Sequence, residues 1–150
     1  MVFYINFLTW IAKGMKFSTK STYGLRAIVR LARETETDHQ PVSLNRIAEE
    51  ENISLGYLET IFSKLKKARL VKAVKGAAGG YTLLKKPEDL NAWEIIDALE
   101  GKNSLFHCLE EKEKVFCSKK CVCSANFALL AIESRLNQAL KNISLASLVR

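Results

Sequence analysis

Two short apolar stripes divided by a tight break, with a glycine-interrupted hairpin directly behind them, leave residues 43–86 few ways to fold. Ser43 precedes Leu44, Ile47 and Ala48, which are spaced for the inward face of a short helix. Its hydroxyl suits an N-cap, where it would accept a backbone N–H that the helix leaves unpaired. Glu51-Asn52 reads as a turn, and Ser54 is placed to cap a second helix. In that helix Leu58, Ile61, Phe62 and Leu65 form one buried stripe, while Tyr57, Glu59, Thr60, Ser63, Lys64 and Lys67 fall mainly on the outer faces. LVKAVKG and GGYTLLK, both β-prone, then flank Gly76-Ala77-Ala78-Gly79-Gly80, and glycine permits the positive φ and close approach that a hairpin loop needs. A helix-turn-helix followed by a hairpin is a winged helix. The glycine run lacks the Lys-Ser/Thr ending and the strand-then-helix setting of a phosphate-binding P-loop.

Around this unit the chain is mostly helical. Thr19–Arg33 carries Tyr23, Ala27, Ile28, Leu31 and Ala32 near helical spacing, which predicts a first helix. Asn91 and Glu94 form a capping box for NAWEIIDALEG, closed by Gly101. Ser124 is placed to cap a long last helix over roughly 125–141. Its apolar residues fall on two stripes, Leu129, Ile132, Leu136, Ala139, Leu140 and Ile143 on one and Phe127, Leu130 and Ala131 on the other. A surface helix needs only one apolar face, so two predict packing on its own subunit and on a second copy, as a C2 homodimer. The expected fold is mainly α with a small β wing, a winged helix-turn-helix plus a long C-terminal dimerisation helix. The expected division is an N-terminal extension outside the fold (1–14), a winged-helix DNA-binding domain (15–86), and a cysteine loop with the dimerisation region (87–150).

Charge divides the chain in the same place. Residues 1–86 carry fifteen Lys/Arg against seven Asp/Glu, a net of about +8; residues 87–150 carry eight against nine, about −1. The front part therefore suits a polyanion. Lys64, Lys66, Lys67, Arg69, Lys72 and Lys75 run without an acidic residue between them, from the end of the reading helix into the wing. That placement sets cations beside the phosphates of double-stranded DNA. Tyr57, Glu59 and Thr60, near the start of the reading helix, are placed to reach base edges, and a Glu there can accept from a cytosine amino group. Lys75 at the wing tip is placed for the minor groove.

The apolar opening MVFYINFLTWIA lacks the basic n-region and cleavage site of a signal peptide. It is also shorter than the roughly 17–25 residues that span a bilayer. Met15 begins a stretch that reads as a natural start, so a cytoplasmic protein with no membrane partner is expected. Its thiols would stay reduced.

All four cysteines lie within residues 108–123, as Cys108-x8-Cys117-x3-Cys121-x-Cys123. A disulfide framework does not fit the expected compartment or a chain able to build its own core. Structural zinc usually brings two close pairs, which this spacing supplies less well. An iron–sulfur cluster tolerates uneven spacing, since thiolates converge from a loop, and the intervening Glu110, Glu111, Lys112, Ser118 and Lys119 suit an exposed one. A redox enzyme would need a Cys-x-x-Cys at a helix start, which is absent. His39 and His107 alone make no acid–base constellation, so no enzyme is expected. A winged-helix adaptor that binds zinc or protein partners is the remaining alternative.

MKFSTKSTYGLRAIVRLA, ISLGYLETIFSKLKKARLVKAVKGAAGGYTLLK, the cysteine loop and KNISLASLV together resemble the Rrf-two family of bacterial regulators, with its IscR, NsrR and CymR types. The likeness covers residues 15–150. It implies a homodimeric winged-helix regulator, most simply a repressor, bound to a pseudo-palindromic promoter site. By that likeness Tyr57, Glu59 and Thr60 are recognition-helix contacts, Lys75 is a wing-tip contact, and Lys20 is a backbone contact from the first helix. In the cluster-binding types three loop cysteines hold an iron–sulfur cluster, and Cys108, Cys117 and Cys123 match them. Where the IscR type places a fourth His ligand this chain has Asn126, and where the NsrR type uses a carboxylate it has Thr22. Cys121, His107 or a small molecule is left as the fourth ligand. The cluster type, 2Fe–2S or 4Fe–4S, stays open, and a cluster-free CymR-like regulator stands as the alternative.

Overall fold

The computed structural model describes residues 18–38, 40–101 and 124–149 of the chain. Residues 1–14, the four cysteines and both histidines lie outside the described residues, and with them the expected extension and cluster ligands. The described elements are α1 (Thr19–Asp38), α2 (Leu44–Glu51), α3 (Leu55–Lys67), β1 (Val71–Val74), β2 (Gly80–Leu83), a 3-10 turn at Pro87–Asp89, α4 (Ala92–Glu100), α5 (Asn126–Lys141) and α6 (Leu145–Leu148). This is the mainly helical winged architecture that the sequence pattern predicts.

The tight turn of the helix pair has a simple origin. Asn52 adopts the left-handed conformation (φ 51°, ψ 50°), which asparagine tolerates, and its N–H reaches back to the carbonyls of Ala48 and Glu49. Ile53 follows, buried, with its N–H on the Ala48 carbonyl at 3.0 Å. At the start of α2 the Ser43 side chain accepts from the Arg46 N–H at 3.2 Å, as expected. Ser54 makes no side-chain cap. Instead its carbonyl accepts the N–H groups of Tyr57 and Leu58, both at 3.1 Å.

Two other helix boundaries differ from the pattern. Helix α1 runs five residues past Arg33, because Glu34 has a partner on the next helix and Thr35 bonds back onto its own. Glu34 is buried with Arg46 Nε at 2.7 Å, and the Thr35 hydroxyl donates to the Leu31 carbonyl at 2.7 Å. Helix α5 begins after Ala125 rather than under a Ser124 cap. Ala125 already has helical angles (φ −91°, ψ −10°), whereas side-chain capping works from an extended residue.

One core joins the front and back of the chain. Ala27, Ile28 and Leu31 of α1 and the α3 stripe Leu58, Ile61, Phe62 and Leu65 share it with Val71, Leu90, Ile95, Leu99 and Leu145. Gly24 lets α1 and α4 close together, since a Cβ there would lie 2.1 Å from Leu99 Cδ1. After α5 the chain returns to this core. The Leu145 N–H meets the Leu90 carbonyl at 2.7 Å, and Arg33 Nε donates to the Val149 carbonyl at 3.1 Å. The capping box of α4 forms as expected between Asn91 and Glu94.

Strands β1 and β2 pair antiparallel, from Val71 opposite Leu83 to Val74 opposite Gly80. Val42 adds a bridge to Tyr81, with N–H to carbonyl distances of 3.0 and 2.8 Å. The wing is thereby tied to the start of α2. Gly80 is what lets β2 lie so close to Val42, because a Cβ there would stand 2.4 Å from the Val42 oxygen. Backbone cannot swing aside as a side chain can. Gly80→Ala is therefore expected to cost about 1–3 kcal/mol, the usual range for overpacking, read as a lower urea midpoint with the slope unchanged.

Helix α5 contributes no buried residue. Leu129, Leu136 and Leu140 are half-buried, and Lys141 Nζ lies 4.7 Å from the centre of the Trp93 ring on α4. Ile132, Ala139 and Ile143, expected on the same stripe, are exposed; so are Leu130 and Phe127, the last at 86%. No helix among the described residues is long and apolar enough to cross a membrane.

Candidate nucleic-acid interface

Part of the basic charge of the front half is paired with glutamates within the fold. Arg26 Nε pairs with Glu51 Oε2 at 3.1 Å, and Arg30 reaches Glu51 Oε1 at 3.1 Å and Glu50 Oε2 at 3.3 Å. Arg46 holds the buried Glu34. This lattice binds α1 to α2 and neutralises three arginines that contribute to the excess of cations. Lys66, Lys67, Arg69, Lys72 and Lys75 stay on the surface, all exposed, on the end of α3, the following turn and the wing. Arg69 turns the chain from α3 into β1 with a left-handed backbone (φ 58°). Lys75 stands at the wing tip just before Gly76, whose φ of 121° suits glycine.

The first turns of α3 present the expected reading residues in different states. Glu59 and Thr60 are exposed, and the Thr60 hydroxyl donates back to the Gly56 carbonyl at 3.1 Å. Tyr57 is half-buried. Its ring packs edge-to-face on Tyr23 (centroids 5.8 Å apart, 85° between planes), and the Arg26 guanidinium lies 5.5 Å from the Tyr23 centroid. Tyr57 is thus partly a packing residue, held in one orientation by α1.

Lys20 and Lys64, expected as separate contacts, are neighbours. Lys64 is half-buried and its Nζ donates to the Leu99 carbonyl at 2.9 Å, so its ammonium is drawn toward the end of α4. The adjacent Lys20 amine, with partial burial adding to it, holds Lys64 below the usual lysine range. Beside them Glu100 accepts hydrogen bonds from the Ser18 N–H at 3.2 Å and from the hydroxyls of Ser18 and Ser21. Desolvation pushes Glu100 up, but these three donors and Lys20 outweigh it and hold the carboxyl below its ordinary value. Ser18, Ser21 and Glu100 carry no sequence signal for this arrangement. They lie about eighty residues apart, and only α1–α4 packing brings them together.

Among the described residues no group of His, Cys, Asp or Glu is arranged to hold a metal ion. What is displayed is a polar helix face, a basic helix end and a basic wing on one well-packed scaffold. Such a surface can supply both base-edge and phosphate contacts to duplex DNA.

Comparison with known proteins agrees with this geometry. Residues 17–150 match the Rrf2 family model, described as an iron-dependent transcriptional regulator. The HTH-type transcriptional regulator CymR of Bacillus subtilis is 43% identical over 99 residues, 66% of this chain and 70% of that protein. Among solved structures, IscR of T. potens superposes with a TM-score of 0.74 at 34% identity, over 92% of this chain and 88% of that one. CymR of B. subtilis, described as the global cysteine regulator, gives 0.72 at 34% identity, over 90% and 96%. The chain belongs to the Rrf2 family of DNA-binding transcriptional regulators, which are not enzymes.

Proposed function

We propose that two copies of the chain grip a pseudo-palindromic operator through α3 and the wing of each, and that the dimer is a cytoplasmic repressor governed by its cysteine segment. The observation that carries the DNA reading is the exposed set Glu59, Thr60, Lys67 and Lys75 on one helix–wing unit. Dimerisation is supported by α5, which buries none of its residues and leaves Phe127 and Leu130 bare. Such a helix is stabilised mainly by packing, so a second copy is its natural cover.

In this reading Cys108, Cys117 and Cys123 hold an iron–sulfur cluster, with Cys121, His107 or a small molecule completing the set. Three or four soft thiolates suit that group. When bound, the cluster supplies a centre that oxidation or nitrosylation removes. The thiolates anchor the segment that links α4 to α5. A shift of that anchor changes DNA affinity only through a free-energy difference between two dimer geometries, typically about 1–3 kcal/mol. Anaerobically purified protein is expected to be coloured and to contain iron and sulfide, and Cys123→Ala to lose the visible absorbance while keeping its helical circular dichroism. Full absorbance in that variant overturns the ligand assignment. The identity with CymR supports a second reading, a cluster-free regulator, and colourless, metal-free protein decides for it.

A further inference from the structure

We propose that Glu100 is a built-in stand-in for a DNA phosphate: in the free protein its carboxylate occupies a cradle made by Ser18, Lys20, Ser21 and Lys64, and a backbone phosphate displaces it on binding. This inference rests on the DNA reading above and names a competitor within that same interface.

The cradle has the donor set that a phosphate oxygen takes. One backbone N–H and two hydroxyls, from Ser18 and Ser21, converge on Glu100 Oε1. Ser21 is fully buried in that position. Lys20 on α1 and Lys64 on α3 lie beside one another, and each acts electrostatically with the Glu100 carboxylate. Holding two ammonium groups side by side is unfavourable unless an anion sits between or beside them. One carboxylate carries a single charge against those two, and a phosphodiester offers the same charge with two free oxygens. Lys64 is kept within reach because its Nζ rests on the Leu99 carbonyl, one residue before Glu100.

The competitor also sits at a consequential place. Glu100 is the last residue of α4, and Gly101 (φ 88°) follows it into the cysteine-bearing segment. Expelling Glu100 from the cradle therefore acts on the chain entering that segment. By reciprocity, whatever fixes that segment biases how readily Glu100 leaves. The competition supplies one link between the thiols and the DNA-facing helices.

The test measures binding of the full-length dimer to duplex DNA from upstream of its own gene, over a series of salt concentrations. Wild-type protein without salt-sensitive affinity overturns the DNA reading and this inference with it. Given such affinity, Glu100→Gln keeps the shape and removes the charge. It is expected to bind roughly three- to tenfold more tightly, with a salt slope steeper by about one. The gain should vanish when Lys20→Met and Lys64→Met are also present. No gain, or an equal gain without the two lysines, overturns the competition while leaving DNA binding intact. A measurement on unaltered protein guards against a folding defect in the variant. The carboxyl carbon resonance of Glu100 should move toward that of a solvent-exposed glutamate when DNA is added, and an unmoved resonance overturns the proposal.

Discussion

Phe62→Ala is expected to destabilise the fold by about 3–5 kcal/mol, a large part of the roughly 5–15 kcal/mol that holds a domain together. Phe62 is fully buried, and its ring packs edge-on against Tyr81 with centroids 4.8 Å apart. Truncation removes the apolar transfer term and leaves a cavity that α3 cannot collapse around, since Leu58, Ile61 and Leu65 are already fixed in the same core. Because Tyr81 lies on β2, the loss falls on the joint between reading helix and wing. Urea denaturation should show a much lower midpoint. The same exchange at Phe127, 86% exposed, makes the contrast. Within one chain Phe127→Ala should change stability by no more than about 0.5 kcal/mol. If a second copy covers α5, that variant will instead melt at a temperature that depends on protein concentration more steeply than wild type.

Contrasts of this kind show what a sequence can and cannot convey. The α3 stripe, the Asn52 turn, the Asn91–Glu94 box and the hairpin were readable because each depends on residues within a few positions of one another. Periodicity marks a buried face whatever lies opposite it. The extent of α1 was not readable, because the polar run after Arg33 is held helical by Arg46, a residue of another helix. The net charge pointed to a polyanion, yet it did not reveal that Arg26, Arg30 and Arg46 face glutamates on the neighbouring helix. Lys64 looked like any outward lysine in α3. Only the approach of α4, permitted by Gly24, draws it onto the Leu99 carbonyl. Interactions between residues far apart in sequence were therefore the hidden ones.

Lys67→Ala combined with Lys75→Ala should weaken DNA binding by roughly 10- to 100-fold near 0.15 M salt, and should reduce the salt slope by about two. Both residues are exposed and neither belongs to the α1–α2 ion-pair lattice, so the substitutions remove cations without unsettling the core. One closes α3 and the other stands at the wing tip. In the proposed complex each would meet its own phosphate, so the two single effects should add almost independently. The weakening should be equal for every sequence tested, since phosphates carry no base identity. Glu59→Gln should behave in the opposite way. The change removes a negative charge, so overall affinity should hold or rise, while preference at one base pair relaxes by about 1–3 kcal/mol. A binding titration over salt, run on the operator and on a scrambled duplex, separates the two patterns. If the double lysine variant alters the ratio between the two duplexes rather than the slope, the wing and helix end read sequence and are not mere phosphate anchors. If Glu59→Gln leaves that ratio untouched, the exposed carboxylate on α3 does not face a base.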